Sequence, residues 1–126
     1  TFIGSSFMYA TARDWAKLGL FYLNDGVVEG ERILPEGWSR YVATPASASD
    51  GFYGAQFWLN NPGTDGRTKY MPGVPDDAYL MAGHEGQYVL IVPDKRVVIV
   101  RTGMTRGEEP MPHVAPVFAA IYAAVP

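Results

Sequence analysis

Residues 82–100 read AGHEGQYVLIVPDKRVVIV and decide the fold. Two near-continuous apolar runs, Tyr88 to Val92 and Arg96 to Val100, flank a Pro-Asp-Lys turn, and this pattern predicts a β-hairpin. Strands this apolar are covered on both faces, so the hairpin belongs to the interior of a sheet. His84 stands between two glycines at the mouth of the first strand, where small residues let another group approach the backbone closely. The stretch therefore predicts a strand that faces a substrate.

Bulk properties exclude several classes of protein. The chain has 126 residues, 48% of them hydrophobic and 18% charged, which suits one globular domain with a real core. The formal net charge is -3 and no run of Lys or Arg appears, so we expect no nucleic-acid partner. No apolar run reaches the length of about 18 residues that a membrane span needs. Cysteine is absent, which excludes disulfides and thiol chemistry. We also expect no cofactor.

The rest of the chain predicts helices around an antiparallel sheet. Thr11 suits the N-cap of the first helix, and the predicted C-terminal helix is rich in alanine. In chain order we expect a helix at 12–23, a small hairpin at 27–34, a short helix at 35–42, a strand at 53–59, a long loop at 60–77, a strand at 78–81, the hairpin at 88–100 and a helix at 113–125. Consecutive strands joined by tight turns imply an α+β fold, an antiparallel sheet with packed helices.

The two histidines are the first candidates for chemistry. A zinc site needs three or four nitrogen, sulfur or oxygen ligands, and no spacing here supplies them, so no metal site is expected. Glu85 adjoins His84, but neighbouring residues of a strand point to opposite faces, so Glu85 would not orient the imidazole as in a serine triad. His84 is either a structural residue or a functional one, and its flanking glycines favour the second. His113 is interpreted as structural.

Three further features are interpreted as non-catalytic. Tyr22-Leu23-Asn24 matches a Tyr-x-Asn pattern, but it lies at the end of an amphipathic helix. Arg101-Thr102-Gly103 resembles Lys-Thr-Gly, but it closes a strand where the chain enters a loop. Thr1 would be an N-terminal nucleophile only if its surroundings activated its amine, and nothing near it in the sequence does so. The chain opens without methionine, and we expect a longer parent protein.

Residues 10–26, residues 30–38 and the hairpin stretch carry a resemblance to a known superfamily. In this order they resemble the C-terminal part of a serine β-lactamase-like hydrolase, the superfamily of class C β-lactamases, DD-peptidases and related esterases. Gly-His-x-Gly-Gln before a strand that ends in Pro-Asp is similar to the 6-aminohexanoate-dimer hydrolase branch. The resemblance implies that residues 1–126 form a single domain, the C-terminal fragment of a β-lactamase/transpeptidase-like fold.

The same resemblance implies a Ser-x-x-Lys nucleophile and a catalytic tyrosine. None of the five serines is followed by lysine three residues later, so these groups are expected upstream of this chain. The chain alone is then expected to be inert, as one portion of a hydrolase that cleaves small-molecule amides or esters through an acyl-enzyme. The compartment stays open between cytoplasm and periplasm.

Two alignments of the superfamily's Lys-Thr-Gly or His-x-Gly element remain open. In one, His84-Glu85-Gly86 is the motif and the amide of Gln87 is the second donor of the oxyanion hole. In the other, Gly83 is the motif glycine and the amide of His84 is the donor. If the stretch is a strand, these amides point to opposite edges, because they lie an odd number of residues apart. We favour His84. In both, residues 83–87 form a substrate wall, with aromatic contacts from Tyr53 or Trp58.

Both alignments lack the motif's lysine, which favours an amide or ester over a substrate recognised by a carboxylate. Two alternatives are kept open. One is a non-catalytic, penicillin-binding-like module with a binding or regulatory role. The other is a self-contained α+β binding domain. An unpaired sheet edge would let the chain form a dimer or pair with the missing N-terminal part.

Overall fold

The computed structural model describes residues 7–63, 69–106 and 109–126, so Thr1 lies outside the described residues. Within these ranges the fold consists of three helices and six strands, together with one short 3-10 turn at His84–Gly86. The helices are α1 (Ala12–Leu23), α2 (Trp38–Val42) and α3 (Met111–Ala124). The strands are β1 (Val27–Val28), β2 (Glu31–Arg32), β3 (Trp58–Leu59), β4 (Tyr79–Gly83), β5 (Gln87–Val92) and β6 (Val97–Arg101).

The central sheet is antiparallel, with strand order β3-β4-β5-β6. Leu80 of β4 lies opposite Leu90 of β5, which in turn lies opposite Ile99 of β6. The turn between β5 and β6 closes when the amide of Arg96 donates to the carbonyl of Pro93 at 3.0 Å. The predicted hairpin is therefore confirmed within one residue at each end. β1 and β2 form a separate two-stranded sheet.

Helices cover both faces of the central sheet, which explains why β5 is apolar at every position from Tyr88 to Val92. α1 packs over β5 and β6 on one face. On this face the buried residues of the sheet and its flanking loops are Val42, Phe57, Leu59, Tyr79 and Ile91. α3 covers the opposite face, whose buried core is Met71, Val74, Ala78, Leu80, Tyr88, Leu90, Val92, Ile99, Met111, Val114, Ala115 and Phe118. The predicted antiparallel sheet with packed helices is confirmed.

α1 begins and ends where the sequence predicts. The Thr11 hydroxyl oxygen accepts from the amide of Asp14 at 3.2 Å, which satisfies one of the first N–H groups of the helix. At the other end Gly26 takes a left-handed conformation with φ +74°, and its amide donates to the carbonyl of Phe21 at 2.8 Å. Local capping chemistry therefore sets both ends of this helix.

The predicted strand at 53–59 is wrong for most of its length. Only Trp58 and Leu59 belong to a strand, and Tyr53 forms an isolated bridge with Trp58 because the chain turns back between them. The amide of Gly54 donates to the carbonyl of Phe57 at 2.9 Å. A Cβ at Gly54 would lie 2.1 Å from the carbonyl oxygen of Val42, so a contact distant in sequence places this turn.

Other boundaries shift by a few residues. α2 begins at Trp38 rather than Pro35, because Gly37 before it is left-handed with φ +79°. β2 covers Glu31–Arg32 rather than 32–34. β4 extends to Gly83, two residues beyond the prediction. α3 begins at Met111, two residues before His113.

Candidate functional site

His84–Gly86 form a 3-10 turn, called here the 84–86 turn, between the ends of β4 and β5. Gly83 and Gln87 pair across the hairpin on either side of it. Glu85 is left-handed, with φ 55° and ψ 28°, and Gly86 follows with φ +87°. The sequence-based placement of His84 and Glu85 on a strand is therefore wrong. Arguments from strand alternation do not apply to these residues.

The side chains of the turn do not form a catalytic pair. The imidazole of His84 is 93% exposed, and its Nε2 lies 3.9 Å from Oε1 of Glu85, beyond hydrogen-bond reach. Glu85 Oε1 also lies 3.8 Å from Nε of Arg106. Glu85 is thus on the same side as the imidazole, contrary to the sequence-based argument. The imidazole is exposed and makes no hydrogen bond to Glu85, so the backbone of the turn is the better candidate for chemistry.

The segment that follows β6 braces the 84–86 turn. The guanidinium of Arg101 donates from Nη1 to the carbonyl of Gly86, and from Nη2 to the hydroxyl of Thr105 at 2.9 Å. The amide of Thr105 donates to the carbonyl of Glu85 at 2.9 Å. The side-chain amide of Gln87 donates to the carbonyl of Gly103. The turn is therefore held from one side by residues 101–105.

Sequence reasoning missed this role of Arg101. Arg101-Thr102-Gly103 does close a strand before a loop, as predicted, but Arg101 also reaches the 84–86 turn. The available signal was a single cationic residue at the end of an otherwise apolar strand. A cation at a strand end does not by itself identify the group that it binds, because the contact with Gly86 depends on the register of β5 against β6.

One edge of β4 is unpaired beside the turn. β3 pairs only with Tyr79 and Leu80 of β4. In the described ranges no strand pairs with Met81, Ala82 or Gly83 on the side away from β5. Backbone groups at such an edge can bind an extended ligand or a substrate amide. The free edge leads directly into His84.

An aromatic groove of about 790 Å³ lies on the α3 side of the sheet. Trp58 and Tyr70 stack on its wall with ring centroids 5.6 Å apart and planes 17° apart. Burial, together with negative charge at Tyr88 and Glu109, raises the pKa of Tyr70 to about 12. The lining residues are Phe52, Trp58, Lys69, Tyr70, Pro72, Glu109, Met111, Pro112, Ala115 and Pro116.

The groove and the 84–86 turn adjoin through Pro110. A Cβ at Gly86 would lie 2.9 Å from Cβ of Pro110, and its neighbours Glu109 and Met111 line the groove. Trp58, a predicted aromatic contact, lies in this groove. Tyr53 packs edge-on against Trp58 with centroids 5.0 Å apart.

Other candidates remain outside this region. His113 lies in the first turn of α3. Among the residues that the structure describes, no group of three or more His, Cys, Asp or Glu side chains is placed to hold a metal ion. No helix in those same ranges is long and apolar enough to cross a membrane.

Comparison with known proteins supports the fold and shows a distant similarity to part of a protein that is named as a hydrolase. No family model matches the chain. An uncharacterised protein of Alkalihalophilus pseudofirmus is 28% identical over an alignment of 102 residues, and the match covers 75% of this chain and 29% of that protein. A solved structure from Bacillus anthracis, named "Putative 6-aminohexanoate-dimer hydrolase", is 25% identical with a TM-score of 0.65. The match covers 91% of this chain and 28% of that structure.

The chain thus spans less than a third of the length of both proteins that it matches. Its fold is similar to a fragment of a β-lactamase-like hydrolase, as the sequence predicted.

Proposed function

We propose that this chain is the C-terminal portion of a serine hydrolase that cleaves amide or ester bonds through an acyl-enzyme. Its contribution is one backbone N–H of the oxyanion hole, supplied by His84. The observation that carries this proposal is the free edge of β4, which ends at Gly83 and runs directly into a braced turn. The similarity to a hydrolase fragment supports the reaction class.

The turn geometry favours His84 over Gln87 as the donor. β4 ends at Gly83, so Gly83 takes the place of the motif glycine at a strand end, and the His84 N–H is the first donor beyond it. The alternative would put the motif on residues 84–86, which include a left-handed Glu85 and belong to no strand. Gln87 is already the first residue of β5 and pairs with Gly83.

The chemistry divides between this chain and the rest of the protein. A serine hydroxyl outside this chain attacks the substrate carbonyl carbon, and the C=O electron pair moves onto oxygen. The N–H of His84 donates to that oxyanion, a contact worth about 3 kcal/mol in comparable sites. The proton of the serine hydroxyl passes through an upstream base to the leaving group, which departs as an amine or alcohol when the tetrahedral intermediate collapses. Water then releases the acyl group as a carboxylic acid. The nucleophile, its lysine and the tyrosine are supplied from upstream.

The aromatic groove beside the turn supports an apolar substrate group. Stacked Trp58 and Tyr70 offer a flat surface about the size of an acyl or leaving group. The residues before the turn, Met81 and Ala82, carry no cation in the position of the motif lysine. Both points favour a small-molecule amide or ester.

Trapping of the acyl-enzyme tests the proposal. The longer protein that carries this segment is mixed with a nitrophenyl ester, quenched, and analysed by intact and peptide mass spectrometry. We expect one acyl group on a serine of an upstream Ser-x-x-Lys, and no turnover of nitrophenyl acetate by residues 1–126 alone. Turnover by this chain alone would refute the fragment assignment. A parent without Ser-x-x-Lys would leave a non-catalytic, penicillin-binding-like module instead.

A further inference from the structure

We propose that Arg101 is the positioning residue that fixes the 84–86 turn and thereby the direction of the His84 N–H. The inference rests on the proposed function for the role of that N–H, but the brace itself is a property of the described residues. Arg101 does not touch the reacting atoms. It acts through Gly86 and Thr105.

The sheet register places Arg101 within reach of the turn. Arg101 is the last residue of β6 and lies opposite Tyr88, which lies opposite Ala82 of β4. Residues directly opposite one another point to the same face, so Arg101 shares the α3 face with buried Tyr88. From there its guanidinium extends past the end of β5 to the Gly86 carbonyl.

Two hydrogen bonds from the planar guanidinium of Arg101 connect the 84–86 turn to the segment that follows β6. Arg101 binds the Gly86 carbonyl and the Thr105 hydroxyl, while the Thr105 amide binds the Glu85 carbonyl. A guanidinium donates in a fixed planar geometry, whereas a lysine ammonium is a point charge on a flexible stem. The two carbonyls that follow His84 are therefore both tied to the 101–105 segment.

The turn needs this support because its conformation is uncommon. Glu85 has φ 55°, a left-handed conformation that costs a non-glycine residue free energy and persists only when its surroundings hold it. Gly86 has φ +87°, and a Cβ there would lie 2.5 Å from Nη1 of Arg101. Arg101 thus occupies the space that a side chain at 86 would fill.

Small movements of the turn matter for the proposed reaction. A donor to an oxyanion works at about 2.7–3.1 Å, and a displacement of about 1 Å removes most of its effect. Loss of the brace would leave the His84 N–H present but misdirected. The expected signature is a lower kcat with KM largely retained, because the contact strengthens in the transition state.

Amide hydrogen exchange by NMR on this chain tests the brace without substrate. R101M keeps the length of the side chain but removes both donors, R101K keeps the charge, and R96M is the matched control, at the residue that immediately precedes β6. Arg96 donates to Asn24 Oδ1 at 2.7 Å, away from the turn. Exchange at Gln87 and Thr105 is normalised to Leu90 in the core, so a general loss of stability is subtracted.

We expect R101M to raise normalised exchange at Thr105 and Gln87 roughly ten- to a hundredfold, because the hydrogen bonds from the charged guanidinium are lost. R101K should fall between R101M and wild type, and R96M should match wild type. Equal exchange in R101M and R96M would overturn the inference.

Kinetics of the longer protein separate this inference from the proposed function. If H84P abolishes turnover and R101M leaves kcat unchanged, Arg101 does not position the donor and the inference fails. If H84P itself leaves kcat unchanged, the proposed function fails, while the exchange data still decide whether Arg101 holds the turn. A parallel fall in kcat for R101M, partly restored in R101K, supports both.

Discussion

At the residue scale, the carboxylate of Asp25 joins the end of α1 to the start of α2. It accepts from the amides of Gly37 at 2.8 Å and Ser39 at 3.0 Å, and Arg32 lies 3.3 Å away. The amides of Ser39 and then Gly37, followed by Arg32, hold the pKa of this carboxyl below its ordinary value of 3.8. The ionised form is therefore favoured in the folded state.

Replacing Asp25 by Asn should lower the stability of the protein at neutral pH and should also make that stability less sensitive to acid. A lowered folded pKa contributes stability above about pH 3.8, which is lost as the pH falls through the folded value. D25N should lower the Tm at pH 7 and flatten the fall in Tm as the pH drops below about 3.8. D50N is the control, since Asp50 is exposed and, like Asp25, left-handed, with φ 50° against 51°. An unchanged pH profile in D25N would contradict this role.

Asn60 anchors the loop that forms one wall of the aromatic groove. Its side chain is fully buried and donates to the carbonyls of Met71, Val74 and Pro75 at 2.9–3.1 Å. Its Oδ1 accepts from the amide of Met71 at 2.6 Å. One side chain thus satisfies four buried or half-buried backbone groups that have no strand ladder to serve them.

Truncation of this side chain should be costly. N60A leaves the carbonyl of Val74 and the amide of Met71 without the partner that Asn60 supplies, and should reduce the free energy of unfolding by about 3 kcal/mol. Urea denaturation followed by Trp fluorescence measures the change, and N61A, the same substitution at the partly exposed neighbour, should cost much less. Equal losses in the two variants would show that Asn60 is not the anchor.

At the element scale, α1 lies close to the sheet because Gly19 is buried against it. A Cβ at Gly19 would lie 2.5 Å from Cγ1 of Val98 and 3.0 Å from Cγ1 of Val89. Alanine is the better helix former by about 1 kcal/mol, yet there is no space for its methyl group. Packing therefore outweighs helix propensity at this position.

G19A should destabilise the protein by about 1–3 kcal/mol through overpacking, despite the gain in helix propensity. Adding V98A should recover part of the loss, because it removes the methyl groups that the new Cβ meets. A thermodynamic cycle of G19A, V98A and the double variant, measured by urea denaturation, gives the coupling. Additive effects would contradict the predicted contact.

Elements set by local chemistry were predictable, and those set by distant contacts were not. The bounds of α1 follow from its cap, and the hairpin follows from two apolar runs around a turn. The turn at Gly54 depends on the carbonyl of Val42. Likewise, the 84–86 turn depends on Arg101, 15 residues beyond Gly86. The sequence therefore drew attention to residues 83–87, but a turn between β4 and β5 was mistaken for a strand.

At the scale of the whole molecule, we propose different binding partners for the two exposed edges of the central sheet. β4 is left partly open beside the turn, where we propose that substrate binds. β6 is the last strand on the other side, and within the described ranges it pairs only with β5. We propose that the remainder of the longer protein, or a second copy of this chain, pairs with that edge.

In the proposed oxyanion hole a backbone N–H, and not an imidazole, acts at position 84. Gly83 is extended, with φ -116° and ψ 172°, as the residue before a proline prefers, and His84 is not left-handed, so both positions are compatible with proline at 84. H84P removes the N–H. H84A removes the imidazole and keeps the N–H, which makes it the matched control.

The direct measurement is kcat for ester hydrolysis by the longer protein carrying H84P or H84A, with circular dichroism to verify that both variants are folded. We predict that H84P lowers kcat roughly 10²- to 10³-fold, the effect of losing one oxyanion donor, while H84A stays near wild type. Full activity in H84P, or an equal loss in H84A, would contradict the account.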